Sequence, residues 1–248
     1  MSKRLIIILS SIFFLVSLVV LMPASVVWQL LKNEMPGIQL SHVEGSIWSG
    51  RAATISGMGE TFQNLTWELY PAHLFMAEVK LDLQVKDKTH PLKALVVMDF
   101  NSNVQISNMK GRLPARILQQ IPATRIVNLE GLFNFEMRQV IINKQGVKQA
   151  DGIVLLEKAN LIQPVQGFLG NLRFIIASKK DQIHIKIDDM NAPIKVKGNL
   201  NILNNHRFNF DARLTPTPAA DNFLVSLLRN SARRNNDGSY VIQYNGAY

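Results

Sequence analysis

The chain has 248 residues, 47% of them apolar, with no cysteine and a formal net charge of +9. That length holds one sizeable domain or two small ones. The absence of cysteine excludes disulfides, thiolate catalysis, cysteine metal sites and a lipidated N-terminal cysteine. The positive charge is scattered singly, with Arg229, Arg233 and Arg234 as the tightest cluster. It points to a solvated surface or to anionic lipid headgroups, and not to nucleic acid.

The chain opens on a membrane signature. Lys3 and Arg4 precede residues 5–22, a stretch that begins with Leu5, ends with Met22 and carries no charge. Only Ser10, Ser11 and Ser17 interrupt its apolar run. As one helix it covers about 27 Å, close to the ~30 Å hydrocarbon core. The positive flank favours a cytoplasmic N-terminus, with everything beyond about residue 33 on the far side. Trp28 reads as an interfacial anchor at the outer end. Residues 1–33 are therefore expected to form a cytoplasmic tip and single transmembrane anchor, and residues 34–248 a β-rich exported domain. The competing reading is a cleaved signal peptide. Residues 22–24 and 24–26 supply only poor cleavage sites, and the run is long for a signal core.

Beyond the anchor the sequence reads as sheet. Over residues 78–86, Val79, Leu81, Leu83 and Val85 alternate with Glu78, Lys80, Asp82, Gln84 and Lys86. The pattern returns at Phe133, Phe135 and Met137, at Ile183, Ile185 and Ile187, and at Phe208, Phe210, Ala212 and Leu214. Period two places each apolar set on one sheet face. Polar clusters at 87–89, 178–181 and 204–206 mark turns, so the expectation is an antiparallel, curved β-meander closed as a sandwich or open as a half-barrel groove. Helices are few. Residues 69–76 hold one turn led by Pro71, residues 114–120 another closed by Pro122, and residues 219–233 a third with Leu224, Leu227 and Leu228 at helical spacing. A final strand spans 240–244.

A short pattern, apolar–charged–Gly–x–apolar, recurs around Gly45, Gly111, Gly131 and Gly198. It hints at two related halves, or at glycines that mark strand bends. Catalytic signals are weak. The five histidines stand far apart, Gly57-Met58-Gly59 lacks a third glycine and a following helix, and no nucleophile elbow, P-loop or zinc-protease motif occurs. Asp188 and Asp189 are adjacent in a strand pattern and point to opposite faces, which argues against an acid pair. Asn64-Leu65-Thr66 fits a glycosylation sequon but lies within a strand pattern. Trp48 and Trp67 read as core before ligand platform. The sequence predicts no enzyme, no metal and no cofactor.

The segment Gly45-Ser46-Ile47-Trp48-Ser49-Gly50-Arg51-Ala52, followed by Leu65-Thr66-Trp67-Glu68-Leu69-Tyr70-Pro71, resembles protein N of the type II (general) secretion pathway. The N-terminal anchor, the length and a terminal Gly-x-Tyr-x-Ile-x-Tyr-x-Gly strand at 238–246 fit the same family. A weaker, local likeness is to AsmA- and TamB-like β-groove proteins. The first resemblance implies an inner-membrane accessory component of the machine that exports folded proteins across the outer membrane. Its partners would be other secretion subunits and inner-membrane lipid. The second implies a groove that binds a lipid or another amphiphile. In either case the apolar face carried by Val79, Leu81, Leu83, Val85, Ile183, Ile185, Ile187, Phe208 and Phe210 is the expected core or groove. The family offers no catalytic residues.

Overall fold

The structure, a computed structural model, describes residues 3–120, 128–163, 166–179, 182–203 and 207–247. Pro122, the turn at 204–206 and residues 180–181 of the turn at 178–181 lie outside them. Two helices lead the chain, α1 (Lys3–Val20) and α2 (Ala24–Leu31). A single 14-stranded antiparallel sheet follows. Its first half is β1 (Ile38–Gly45), β2 (Ser49–Gly57), β3 (Glu60–Leu69), β4 (Glu78–Val85), β5 (Leu92–Asp99), β6 (Val104–Pro114) and β7 (Asn128–Asn143). The second half is β8 (Gly146–Gln163), β9 (Gly167–Lys179), β10 (Gln182–Met190), β11 (Ile194–Leu203), β12 (Arg207–Pro216), β13 (Arg233–Arg234) and β14 (Tyr240–Ala247). A third helix, α3 (Asn222–Ser231), separates β12 from β13. Spatial order follows chain order except at the end, where β14 pairs with β12 and β13 lies outermost. The sheet is open: β1 and β13 are its two edges. Among the described residues no second sheet faces it, so the sandwich alternative does not hold.

Three short helices form where the sequence places them. Pro71–Met76 is a 3-10 helix with proline in its first turn, stopped by Ala77 in the left-handed region at φ 58°. Ala115–Gln120 is a second 3-10 helix. The Asp221 side chain caps α3 by accepting from the Phe223 N–H at 2.7 Å, which satisfies one of its orphan donors.

The apolar N-terminal run behaves differently from the single long span expected of it. The helix stops at Val20, and the chain breaks at residues 21–23 before α2 begins. After Arg4 the helix holds 16 uncharged residues (5 to 20), about 24 Å of rise, short of the ~30 Å core. Among the described residues no helix is long and apolar enough to cross a membrane. Trp28 sits beyond the break on α2, half-buried, and α2 packs along β1.

Cross-strand partners in an antiparallel sheet share a face. Leu65 pairs with Val85 and Val85 with Leu92, and Leu92 leads through Gly111 and Phe135 to Val154. Val154 then leads through Phe174 and Ile187 to Gly198 and Ala212. One apolar face thus runs without interruption across the sheet. Bulges in β7 and β8 reset its register without flipping it. Cα atoms of β8 approach within 8 Å of β10 across the intervening strand. A flat sheet would hold them about 9.6 Å apart, so the sheet bends sharply there.

Only parts of this face gain a second layer. The 3-10 helix at Ala115–Gln120 covers Leu129, Leu156 and Ala159, and α3 covers Ile194 and Tyr240 with Leu224 and Leu228. The other two clusters contain strand residues alone, centred on Ala52, Leu65 and Val85 and on Met137, Ala150 and Ile183. The accessible surface is 16433 Å², against about 11,000 Å² for a compact monomer of this mass. The glycines of the repeated pattern do not share one structural place. Gly45 ends β1 at φ 89°, whereas Gly111 lies inside β6 opposite Phe135.

Candidate functional site

Two features stand out, the uncovered apolar face and the hairpin that holds the N-terminal helix. The hairpin between β1 and β2 is built from the segment with the family resemblance. Gly45 and Gly50 close its register, and the Ser46 N–H donates to the Ser49 carbonyl at 2.9 Å. A Cβ on Gly45 would lie 2.6 Å from the Ser49 carbonyl oxygen, so the tight turn needs glycine there. The Ser46 hydroxyl accepts from the Trp48 and Ser49 N–H groups, both at 3.2 Å.

This loop grips α1. Trp48 Nε1 donates to the Val19 and Val20 carbonyls at 3.2 and 3.1 Å, both in the last turn of the helix, where the backbone acceptors run short of intrahelical partners. The Ile47 N–H donates to the Met22 carbonyl at 3.2 Å, and Pro23 bridges to Ser46. Trp48 is therefore a clasp at the helix end, half-buried, and not core. Trp67 is half-buried on the apolar face, stacked on its partner Gly50, and its Nε1 donates to the Ser46 carbonyl at 3.2 Å. Arg51 is exposed and pairs across the strands with Glu44 at 2.6 Å, a contact worth little in water. Pro71 starts the 3-10 helix that follows β3. Gly45, Trp48, Gly50, Arg51 and Trp67 thus cluster at one end of the sheet. Of the anchor residues, Leu5 lies exposed on α1 and Met22 reaches the hairpin through its carbonyl.

The candidate groove residues share the apolar face. Val79, Leu81, Leu83 and Val85 lie along β4, with Val85 buried and the rest half-buried. Ile183 is buried on β10, while Ile185 and Ile187 are half-buried, as are Phe208 and Phe210 on β12. Register joins the last two groups: Ile183 pairs with Ile202 and Ile202 with Phe208, Ile185 with Leu200 and Leu200 with Phe210.

The polar groups form structural pairs. Asp188 sits on the opposite face between Lys186 and Arg173, at 3.2 and 3.6 Å, while Asp189 accepts from the Val196 N–H at 3.0 Å. The two carboxyls do not converge. Among the described residues no group of three or more His, Asp or Glu could hold a metal ion. Sequence reasoning missed the pair of Glu60 and Arg116, which ties the β2–β3 turn to the second 3-10 helix with Arg116 Nη2 donating to Glu60 Oε2 at 2.7 Å. Glu60 is only 9% exposed, and the Arg116 guanidinium holds its carboxyl below the usual range. Their separation of 56 residues leaves no local signal in the sequence.

A family model described as type II secretion system (T2SS), protein N, matches residues 36–243, which take in the hairpin, Trp67, Pro71 and the first half of β14. The type II secretion system protein N of Vibrio cholerae serotype O1 (strain ATCC 39315 / El Tor Inaba N16961) is 22% identical over 243 residues, covering 96% of each chain. No solved structure matches. A match that runs from before β1 into the last strand takes in nearly the whole open sheet, and on it the chain belongs to the type II secretion system protein N family.

Proposed function

We propose that this protein is a non-enzymatic accessory component of the type II secretion system, anchored in the inner membrane and working through contacts with other secretion subunits. In this reading residues 1–33 form the cytoplasmic tip and anchor, and residues 34–248 the periplasmic domain. Family membership supports the secretion role. The anchor is supported by α1, whose Ile7, Ile8, Phe13 and Phe14 are all exposed. A helix apolar on every side belongs in a core or in lipid. A short span is accommodated by local thinning of the bilayer and snorkelling of flanking residues. Lys3 and Arg4 favour a cytoplasmic N-terminus.

The observation that carries the contact role is the apolar face with no second layer over two of its four clusters. An element with one apolar face must bury it against something, and patches above a few hundred Å² seldom stay bare without a role. An apolar segment of a secretion subunit would supply the missing layer. The outer edge of β14 offers a second route. Among the described residues β13 pairs only with Tyr240 and Val241, which leaves residues 242–247 open to an added strand.

The open sheet also favours a second reading, in which the same face holds an acyl chain. Isolation of the full chain in mild detergent separates the two. Co-isolation of identified secretion subunits, lost in Ile185→Asp while the β-sheet spectrum is kept, supports the first reading. Acyl chains released from the wild-type protein without such subunits support the second.

A further inference from the structure

We infer that the end of the sheet nearest α1 is a membrane-docking rim, with Phe75 and Phe100 inserted at the boundary between headgroups and acyl chains. The inference rests on the reading of α1 as an anchor and extends it to residues far from the N-terminus.

Strand register fixes which turns share an end. The β1–β2 hairpin holds the C-terminus of α1 through Trp48. The Leu69 N–H donates to the Trp48 carbonyl at 2.7 Å, so β3 finishes beside this hairpin. Pro71–Met76 follows at once. Glu78, the first residue of β4, pairs with Asp99, the last of β5, so the turn containing Phe100 is the next one along the same rim. From the α1 clasp to Phe100 the rim is therefore continuous.

Large apolar side chains stand exposed on it, although the Phe100 turn also exposes the polar Asn101, Ser102 and Asn103. Phe75 is 95% exposed and Phe100 77%, with Leu74 and Met76 beside them also exposed. Single exposed apolar residues are ordinary on a protein surface. Here four gather on two adjacent turns, at the end where the apolar run of α1 leaves the domain. Lys80, whose Nζ lies 5.1 Å from the Tyr70 ring centroid, places a cation by the same rim, suited to an anionic headgroup. Aromatic rings concentrate at membrane interfaces for this combination of apolar face and polar surroundings. Tethering by α1 raises the effective concentration of bilayer at the rim, so a small apolar contact suffices to hold it there.

The chain has no cysteine, so single thiol labels can be placed at will. The full chain is reconstituted into vesicles of phosphatidylethanolamine and phosphatidylglycerol carrying a nitroxide at a shallow acyl position for the labels at 75, 100 and 58, and deep in the acyl chain for the label at 13. An environment-sensitive dye is attached in Phe75→Cys, Phe100→Cys, Met58→Cys and Phe13→Cys. Met58, 65% exposed, marks the opposite end of the sheet, and Phe13 marks α1. Quenching several-fold stronger at 75 and 100 than at 58 is the expected result. Quenching at 75 and 100 no greater than at 58 overturns the rim. The label at 13 reads the anchor separately: quenched there but not at the rim, the anchor stands and the docking fails. Unquenched at 13, the anchor fails whatever the rim does.

Discussion

The indole of Trp67 fills the space where a side chain at Gly50 would stand. The two residues are cross-strand partners, and a Cβ added to Gly50 would lie 2.3 Å from Trp67 Cζ2 and 2.6 Å from the Glu44 carbonyl oxygen. The same arrangement recurs where Phe135 covers Gly111 and Phe208 covers Gly246. An aromatic ring over a glycine restores packing to a bare stretch of strand, which matters most in a sheet lacking a second layer. Gly50→Ala is predicted to cost about 1–3 kcal/mol, since both ring and backbone must shift. Urea unfolding measures it, and an unchanged midpoint would contradict the packing.

Trp48 has a different role, and a different outcome follows. Trp48→Phe keeps the ring and removes the donor to the Val19 and Val20 carbonyls. Sheet stability should change by no more than about 1 kcal/mol. Protease cleavage at residues 20–24 should rise clearly. Cleavage unchanged there would show that the clasp does not hold α1.

Coverage of the apolar face sets the cost of truncation. Leu228 on α3 is buried against Ile194 and Tyr240 of the sheet, so Leu228→Ala should cost about 2–4 kcal/mol. Ile202 packs in a cluster made of strand residues alone and should cost only about 1 kcal/mol when cut to alanine. Denaturant midpoints of the two variants test this, and equal losses would mean that the face is covered throughout.

Acid weakens the fold through specific carboxyls. Arg116 holds the Glu60 carboxyl below its ordinary range, the backbone N–H of His90 does so for Asp87, and the Gln149 amide for Asp151. Each binds its proton more weakly folded than unfolded, so the unfolded chain protonates first. Their contribution is whole above the unfolded values, about 3.9 for Asp and 4.3 for Glu, and is lost as pH falls through the lowered folded ones. The urea midpoint should fall steeply below about pH 4.5, and less steeply in Glu60→Gln. A midpoint that rose on acidification would contradict the assignment.

The strands with strict alternation were legible because period two needs no context: Val79 to Val85, Ile183 to Ile187 and Phe208 to Leu214 each lie on strands, and register puts them on one face. The bulge between Leu156 and Ala159, with Lys158 at φ 52°, breaks that period in β8 and leaves no sequence mark. The end of α1 was misplaced because residues 21 and 22 are as apolar as those before them, while the chain turns there to meet Ile47 and Ser46. Trp48 and Trp67 look alike in sequence, yet one donates to a helix end and the other covers a glycine. Only the hairpin geometry separates them. Whether the sheet was open was also unreadable, because alternation is identical in a sandwich, a barrel and a single layer.

The most direct test of the account is photo-crosslinking in living cells from Ile185 and Phe210 on the apolar face, with Lys186 on the opposite face as control. The account predicts adducts with secretion subunits at Ile185 and Phe210 and none at Lys186. Adducts at Lys186 alone, or lipid as the sole adduct at Ile185 and Phe210, would contradict the claim that this face is where the protein meets its secretion partners.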